Sequence, residues 1–529
     1  MNDSSILILS KTKFWKLKLP QDPQGVFICL VILALAMRLP YFFEAVIDWD
    51  ESTFILLGQS VIDGYLPYTQ LLDAKPPLLW ISFALFIAIF GKTVVSIRLA
   101  GTICVVITAF LTYLIGSKIW DRNIGAISAI LFTILTGLSP SGEAVMSEHV
   151  ALVPLMAALT LLIVQPNTLW NLFFAGALIA TASLIRLNLV YVVIALGFTI
   201  IFAPPITSNQ NQRFKLFIYR GFTYALGVFS VVILTFIPYL LVRQEHIWWT
   251  GVVTASLSYS SSQGSLLKTL FDQIAEIFNI LLGRESIGLI GVFIIVWLGG
   301  LLQIFLTLTH WKKLDIFQQR SVIILLSSLV WIEISLLKGG IFWGHYLIQF
   351  NAIISLFAAI TIKYTLLSSR YRRGVKVLIT LVFVVTFLHI SLKYGRLGYE
   401  ALHNHRILYG SAYKIAEFLE QENANHKPVL LLSNHLAYWL TNSKPMTPAM
   451  THPSNLNKKF LLKAWFGESA STATELSKIL DQQPKFIIGG ELDSFFKEAP
   501  VQAHFNQTIN KDYTFVKKID AEKVYKLSR

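Results

Sequence analysis

Long apolar runs constrain this chain more than any other feature. Nonpolar stretches of about twenty residues, the length an α-helix needs to cross about 30 Å of hydrocarbon, recur along the first three quarters of the sequence. They fall near residues 26–46, 94–117, 123–140, 149–165, 170–186, 188–204, 219–242, 287–308, 321–337, 344–366 and 375–393. Inside lipid the backbone must satisfy its own N–H and C=O groups, so such runs form helices. Only 14% of residues are charged and the mean hydropathy is +0.60, which fits a polytopic membrane protein and not a string of soluble domains. The expected fold class is an all-α polytopic membrane domain of about eleven to thirteen spans. No small-residue cleavage site follows a short apolar core at the N-terminus, so residues 26–46 read as a retained first span. Cys29 and Cys104 lie in separate apolar runs and suggest neither a disulfide framework nor a metal cluster. The net charge of +14 is read as Lys/Arg bias in cytoplasmic loops, not as a nucleic-acid surface.

One run resists the pattern. "PPLLWISFALFIAIFG", residues 76–91, is short for a span and is expected to be interfacial or re-entrant. Parity arbitrates, because each extra crossing inverts the sidedness of every later loop. If this run does not cross, the cytoplasmic side collects Lys11, Lys13, Lys16, Lys18, Lys118, Arg122, Arg213, Lys215, Arg220, Lys312, Lys313 and Arg320, with the block Lys363, Arg370, Arg372, Arg373 and Lys376. The outer loops before the tail keep Lys75, Lys92, Arg98, Arg186, Arg243, Lys268, Arg284 and Lys338. The positive-inside rule favours that threading. It also puts the acidic segments "DWDE" (48–51) and "SGEAVMSEH" (141–149), together with the polar tail, on one extracytoplasmic face.

Three regions follow: a basic cytoplasmic N-terminus (1–25), a transmembrane domain (26–393) and an extracytoplasmic tail (394–529). In the tail, "SAYKIAEFLEQE" and "ATELSKILDQQ" have helical periodicity, "KPVLLLSN" and "PKFIIGG" read as buried strands, and "YTFVKKI" with "EKVYKL" reads as a closing hairpin. A small α/β domain is expected there. Gly489 and Gly490 form no GxGxxG, so no nucleotide cofactor is expected.

Asp48, Asp50 and Glu51 crowd behind the first span, among Tyr41, Phe42, Phe43 and Trp49. A solvated interfacial loop would explain them alone. "LLDAKPPLLW" follows, with Lys75 before Pro76 and Pro77. Two prolines fix the entry into a helix and leave no wasted donors at its first turn, and Lys75 at that mouth, with the positive end of the helix dipole, favours an anion such as a phosphate at headgroup depth. Snorkelling explains Lys75 equally well.

The order "DWDE…DGYLPYTQLLDAKPPLLW…FG…SIRLAG…GEAVMSEHVAL…GHYLIQF" resembles the GT-C glycosyltransferases of the protein O-mannosyltransferase and aminoarabinose-transferase type over about residues 26–366. The resemblance implies a GT-C fold with interfacial helices in the first outer loop and a bacterial inner-membrane enzyme whose site faces outward. It implies transfer of a sugar from a polyprenyl-phosphate donor to a lipid, glycan or protein acceptor. Asp50 matches the first acid of the family's Asp-Glu pair and would be catalytic, with Glu51 beside it. Lys75 matches the lysine that holds the donor phosphate. Glu143 or Glu148 would supply the second acidic motif, and Arg186, His345 and Tyr346 would join Lys75. Thr53 stands where the aminoarabinose transferases have Arg, which argues for a different donor or acceptor. A divalent cation (Mg²⁺, Mn²⁺ or Ca²⁺) could bridge Asp50, Glu51 and one of Glu143 or Glu148, since oxygen ligands suit it, though Lys75 and Arg186 could equally hold these acids apart.

The chemistry follows from the residues themselves. Displacing a polyprenyl phosphate from an anomeric carbon needs a base for the acceptor hydroxyl and cations for the departing phosphate, and a single displacement inverts the centre. The rival expectation is a lipid or sugar transporter, which would put its ionisable groups near mid-membrane and often show repeated halves. Here the acids cluster at loops, and no repeat is evident.

Overall fold

The structure, a computed structural model, describes residues 22–164, 168–202, 210–261, 266–282, 287–367, 372–403, 407–424 and 427–528. Lys11, Lys13, Lys16, Lys18, Arg284 and Arg370, assigned above by charge, lie outside the described residues. Helices α1 (Pro23–Arg38), α2 (Trp49–Ile62), α3 (Pro77–Phe90), α4 (Val94–Ile119), α5 (Arg122–Leu138), α6 (Ser147–Val164), α7 (Leu169–Ile185), α8 (Val190–Phe202) and α9 (Gln210–Leu241) form the first part of a bundle. After two short helices, α10 (Glu245–Trp249) and α11 (Ala255–Ser261), it continues with α12 (Leu266–Leu282), α13 (Ile287–Thr309), α14 (Ile316–Gly339), α15 (Ile348–Leu367) and α16 (Arg372–His403).

Six stretches, Pro23–Phe43, Val94–Ile119, Ser147–Val164, Lys215–Leu241, Ile316–Gly339 and Gly344–Thr365, are long and apolar enough to cross a membrane. Shorter apolar helices occupy Arg122–Leu138, Leu169–Ile185, Leu187–Ile201 and Phe293–Thr309, and α16 runs for 32 residues. Every run expected to span is thus a helix, and α16 carries on past residue 393 to His403. The exceptional run is α3, whose 14 residues reach about 21 Å, short of the hydrocarbon thickness. Close packing depends on absent side chains: a Cβ on Gly176 would meet the Tyr224 carbonyl oxygen at 2.2 Å, and one on Gly227 that of Phe173 at 2.0 Å. Backbones of α7 and α9 therefore touch, the small-residue contact that membrane helices favour.

The tail folds as expected. Its helices are α17 (Ser411–Gln421), α18 (Leu436–Leu440), α19 (Lys459–Phe466), α20 (Thr472–Asp481) and α21 (Ala499–Asp512). Strands β1 (Val429–Leu431), β2 (Phe486–Gly489), β3 (Tyr513–Ile519) and β4 (Glu522–Leu527) form a sheet of order β1-β2-β4-β3. The β1–β2 pair is parallel and the others antiparallel, with Val429 opposite Phe486 and Ile487 opposite Tyr525. Alternation along the strands splits the core. Val429, Leu431, Phe486 and Ile488 join a hydrophobic cluster continuous with the bundle, while Leu430 and Ile487 face a second cluster with Leu476 and Phe505.

The tail is anchored to one end of the bundle. The Leu72 amide donates to the Pro448 carbonyl at 2.8 Å, and the Ala45 amide to that of Tyr409 at 2.8 Å. Trp439 Nε1 donates to Gln59 Oε1 at 2.9 Å. Lys92, just before α4, reaches Asn442 of the tail. At its other terminus α4 accepts from Gln318 near the start of α14, which defines a far end of the bundle.

Candidate active site

The site is built at the tail end, on the turn between α2 and α3. Asp48 caps α2: one carboxylate oxygen accepts from the Asp50 amide at 2.9 Å, and the other from Ser141 Oγ at 2.5 Å. This fixes the first turn of α2, where Asp50 and Glu51 also suit the positive end of the helix dipole. Lys75 is clamped through its backbone. Its carbonyl accepts from Tyr68 Oη at 2.7 Å and Trp80 Nε1 at 3.0 Å, while its amide donates to Asp73 Oδ1 at 3.1 Å. Pro76 and Pro77 then open α3 as the sequence leads one to expect. Gly58 lets α2 and α3 touch, since a Cβ there would lie 2.6 Å from Phe83 Cβ.

The result is a direct pair, Lys75 Nζ to Asp50 Oδ2 at 2.8 Å, with side chains 29% and 19% exposed. Burial would raise the Asp50 carboxyl, but the Lys75 ammonium beside it outweighs burial and holds the group below the ordinary carboxylate range. Burial would likewise depress Lys75, yet Asp50, Asp73 and Tyr346 hold its ammonium above the usual lysine range. Both stay charged at neutral pH.

A second constellation faces the first. Glu148, buried at the start of α6, meets Arg186 at 2.9 Å, lies 3.7 Å from His345 Nε2 and accepts from Ser147 Oγ at 3.0 Å. Arg186, which caps the end of α7, stacks 4.5 Å over the Tyr346 ring, and His345 sits edge-on to that ring. His345 acts electrostatically on Asp50, and Tyr346 on Lys75. Arg186 Nε and His345 Nε2, like Glu148 Oε1 between them, are buried without a hydrogen-bond partner, which leaves donors available to a polar group.

Glu51 and Glu143 are placed differently from the expectation above. The Glu51 side chain is only 2% exposed, and both its oxygens are taken by Arg98, with the Val145 amide adding a bond at 2.7 Å. Arg98 also donates to the Tyr41 carbonyl at 2.6 Å. Glu51 has no free face for a substrate. Its physical role is to tie α2 to α4 and to the 139–146 loop, which Arg38 also grips through the carbonyls of Gly142, Glu143 and Ala144. The Glu143 side chain lies apart, bonded to Tyr41 and near Lys393, with its pKa raised by burial.

Sequence reasoning missed two contributors. Arg98 was assigned to a loop, whereas it lies in the first turns of α4. His452 comes from the tail: its Nε2 is 3.6 Å from Asp50 Oδ1. Burial holds its pKa down at about 3, so the ring is neutral. The Ser454 amide donates to Nδ1 at 3.1 Å, which leaves the ring proton on Nε2, facing Asp50. No local motif marks His452 in the sequence. Nearby, Thr451 Oγ1 donates to the Leu72 carbonyl at 2.9 Å, and Asn455 Nδ2 to Asp73 at 3.2 Å, so the tail roofs the site.

For a divalent cation the donor set does not fit. Asp50 is engaged by Lys75 and approached by His452, Glu51 is held by Arg98, Glu148 by Arg186, and Glu143 stands elsewhere. Among the described residues no three His, Cys, Asp or Glu side chains gather as metal ligands.

These features belong to a membrane protein with a polar, charged site under an α/β roof. The family model described as dolichyl-phosphate-mannose-protein mannosyltransferase matches residues 74–245. ArnT from Cupriavidus metallidurans, bound to undecaprenyl phosphate, is similar with a TM-score of 0.59 at 12% identity over 95% of this chain and 97% of that one. The Archaeoglobus fulgidus oligosaccharyltransferase AglB, in complex with an inhibitory peptide and a dolichol-phosphate, gives 0.52 at 11% identity over 96% and 74%. Its apo form gives 0.51 at 10% identity over 93% and 72%. No curated protein matches this chain by sequence. The likenesses establish the architecture: the chain has the GT-C fold of these structures.

Proposed function

We propose that this protein is a membrane glycosyltransferase that moves a sugar from a polyprenyl-phosphate donor to a hydroxyl of a lipid, glycan or protein acceptor on the extracytoplasmic face, with inversion. The observation that carries this reading is the Asp50–Lys75 pair, set opposite Arg186 and His345 with their unpartnered buried nitrogens. A carboxylate beside a cation, facing a second group of basic side chains, is what a phosphoglycosyl bond needs. The acceptor oxygen attacks the anomeric carbon, its proton passes to Asp50, and the bond to the phosphate oxygen breaks with its electron pair left on the phosphate. Lys75 and Arg186 neutralise that developing charge, and His345 donates a hydrogen bond to it. Tyr346 holds the Arg186 plane by stacking. Glu51 positions and does not touch the substrate.

This reading implies a sequence of events. In the free protein, Lys75 holds the proton affinity of Asp50 down. When a donor phosphate draws Lys75 to itself, Asp50 loses its strongest cationic partner and becomes a better base. Donor binding thus prepares the base before the acceptor arrives. His452 keeps the second oxygen of Asp50 oriented meanwhile.

The test is reconstitution in liposomes with labelled polyprenyl-phosphate sugars, followed by stereochemical analysis of the product. Transfer with inversion, lost in Asp50→Asn, supports the reading. Translocation of the intact lipid without glycosidic cleavage overturns it in favour of a transporter.

A further inference from the structure

The far end of the bundle holds two arginines that no described carboxylate answers. Arg220 on α9 is 4% exposed, and its Nε and one terminal nitrogen are buried without a hydrogen-bond partner. Arg320 on α14 lies within electrostatic reach of it. The end of α8 lies between the two helices. Gly221, next to Arg220, sits against Ile201, and Thr199 Oγ1 bonds Ser327 Oγ of α14 at 3.4 Å.

Depth specifies the environment. The apolar stretch Lys215–Leu241 has 27 residues, about 40 Å, which is the bilayer with its headgroup layers. Arg220 stands about 8 Å from the start of that stretch, and Arg320 about 6 Å from the start of α14, depths from which a long side chain reaches the headgroup layer. Burying an unpaired guanidinium is costly, and a second one beside it adds repulsion. The carbonyl end of α8 supplies only about half an elementary charge, and it makes no hydrogen bond to the orphaned Arg220 nitrogens. A tetrahedral oxyanion meets the need, because the guanidinium fork matches phosphate oxygens and basic pockets between membrane helices hold lipid phosphates.

We propose that Arg220 and Arg320 form a phosphate-binding site at the end of the bundle opposite Asp50 and Lys75, between α9 and α14 beside the end of α8. It takes the phosphate of an anionic lipid headgroup or free phosphate. It is separate from the donor site in place and in residues.

The full chain in neutral detergent is offered equal amounts of phosphatidylglycerol and phosphatidylcholine and examined by native mass spectrometry, with inorganic phosphate as competitor. The site predicts preferential retention of phosphatidylglycerol that falls several-fold in Arg220→Gln and Arg320→Gln and is unchanged in Arg396→Gln at the tail end. Displacement by inorganic phosphate identifies the free ion as a ligand, whereas retention in its presence identifies the lipid. Preference undiminished in both Gln variants overturns the proposal. Should those variants fail to fold, the unfolding midpoint of the unaltered protein decides: no rise with either phosphatidylglycerol or inorganic phosphate also overturns it.

Discussion

At the scale of single residues, adjacent carboxylates have opposite fates. Asp50 faces a partly open space beside Lys75, whereas Glu51 is sealed against Arg98. Replacing Asp50 with Asn removes a proton acceptor and is expected to lower turnover about 100-fold or more while leaving donor binding intact, as measured by single-turnover kinetics and lipid binding. Lys75→Ala is expected to raise the donor KM as well as to lower kcat, with Lys75→Arg recovering part of the binding, in steady-state assays. Glu51→Ala leaves the Arg98 charge buried and unpaired, a loss of about 3–5 kcal/mol that a chemical or thermal melt would register. The sequence drew attention to Asp50, to Lys75 and to Glu143 or Glu148, without choosing between those two glutamates, because acids and a KPP segment stand out in an apolar chain. It could not divide the labour between Asp50 and Glu51, because neighbouring positions on a helix point about 100° apart and only the partners decide which one is buried.

At the scale of elements, hydropathy located the helices of the expected spans, since a lipid-spanning run leaves the backbone one option, but it passed over the amphipathic 17-residue α12. The turn that bears the site was harder to read. Asp48 followed by acids in the next turn is a helix-start signal, but α2 is a 14-residue helix largely buried on several sides, without the one-sided stripe that marks a surface helix. Close approach of α2 to α3 at Gly58 makes a sharp prediction. Gly58→Val is expected to push the helices apart and abolish transfer, although the residue touches no substrate; activity retained at the level of the unaltered protein would show that the Asp50–Lys75 spacing is not set there. In the tail, burial holds His435 at about 4 and His452 at about 3. Unfolded imidazoles take up protons near pH 6.5 and these folded ones only well below it, so the unfolded chain binds more protons in that window. Stability therefore falls as pH drops from about 6.5 towards 4. Unfolding midpoints measured across that range should decline, and less so in His452→Gln.

At the scale of the whole molecule, the tail completes the site that the membrane helices begin. Thr53, the position that departs from the aminoarabinose transferases, donates to the Thr451 carbonyl across 398 positions of sequence, and His452 follows immediately. Such a contact has no periodicity or motif to announce it, which explains why the tail was legible as an α/β unit but not as part of the site. The central claim is that the donor phosphate binds where Lys75 now holds Asp50. A map of the protein with a polyprenyl-phosphate sugar tests it most directly. The account predicts the phosphate in contact with Lys75 and Arg186, Lys75 drawn off Asp50, and the anomeric carbon facing that carboxylate. A phosphate bound away from both residues, with the Asp50–Lys75 pair undisturbed, would contradict it.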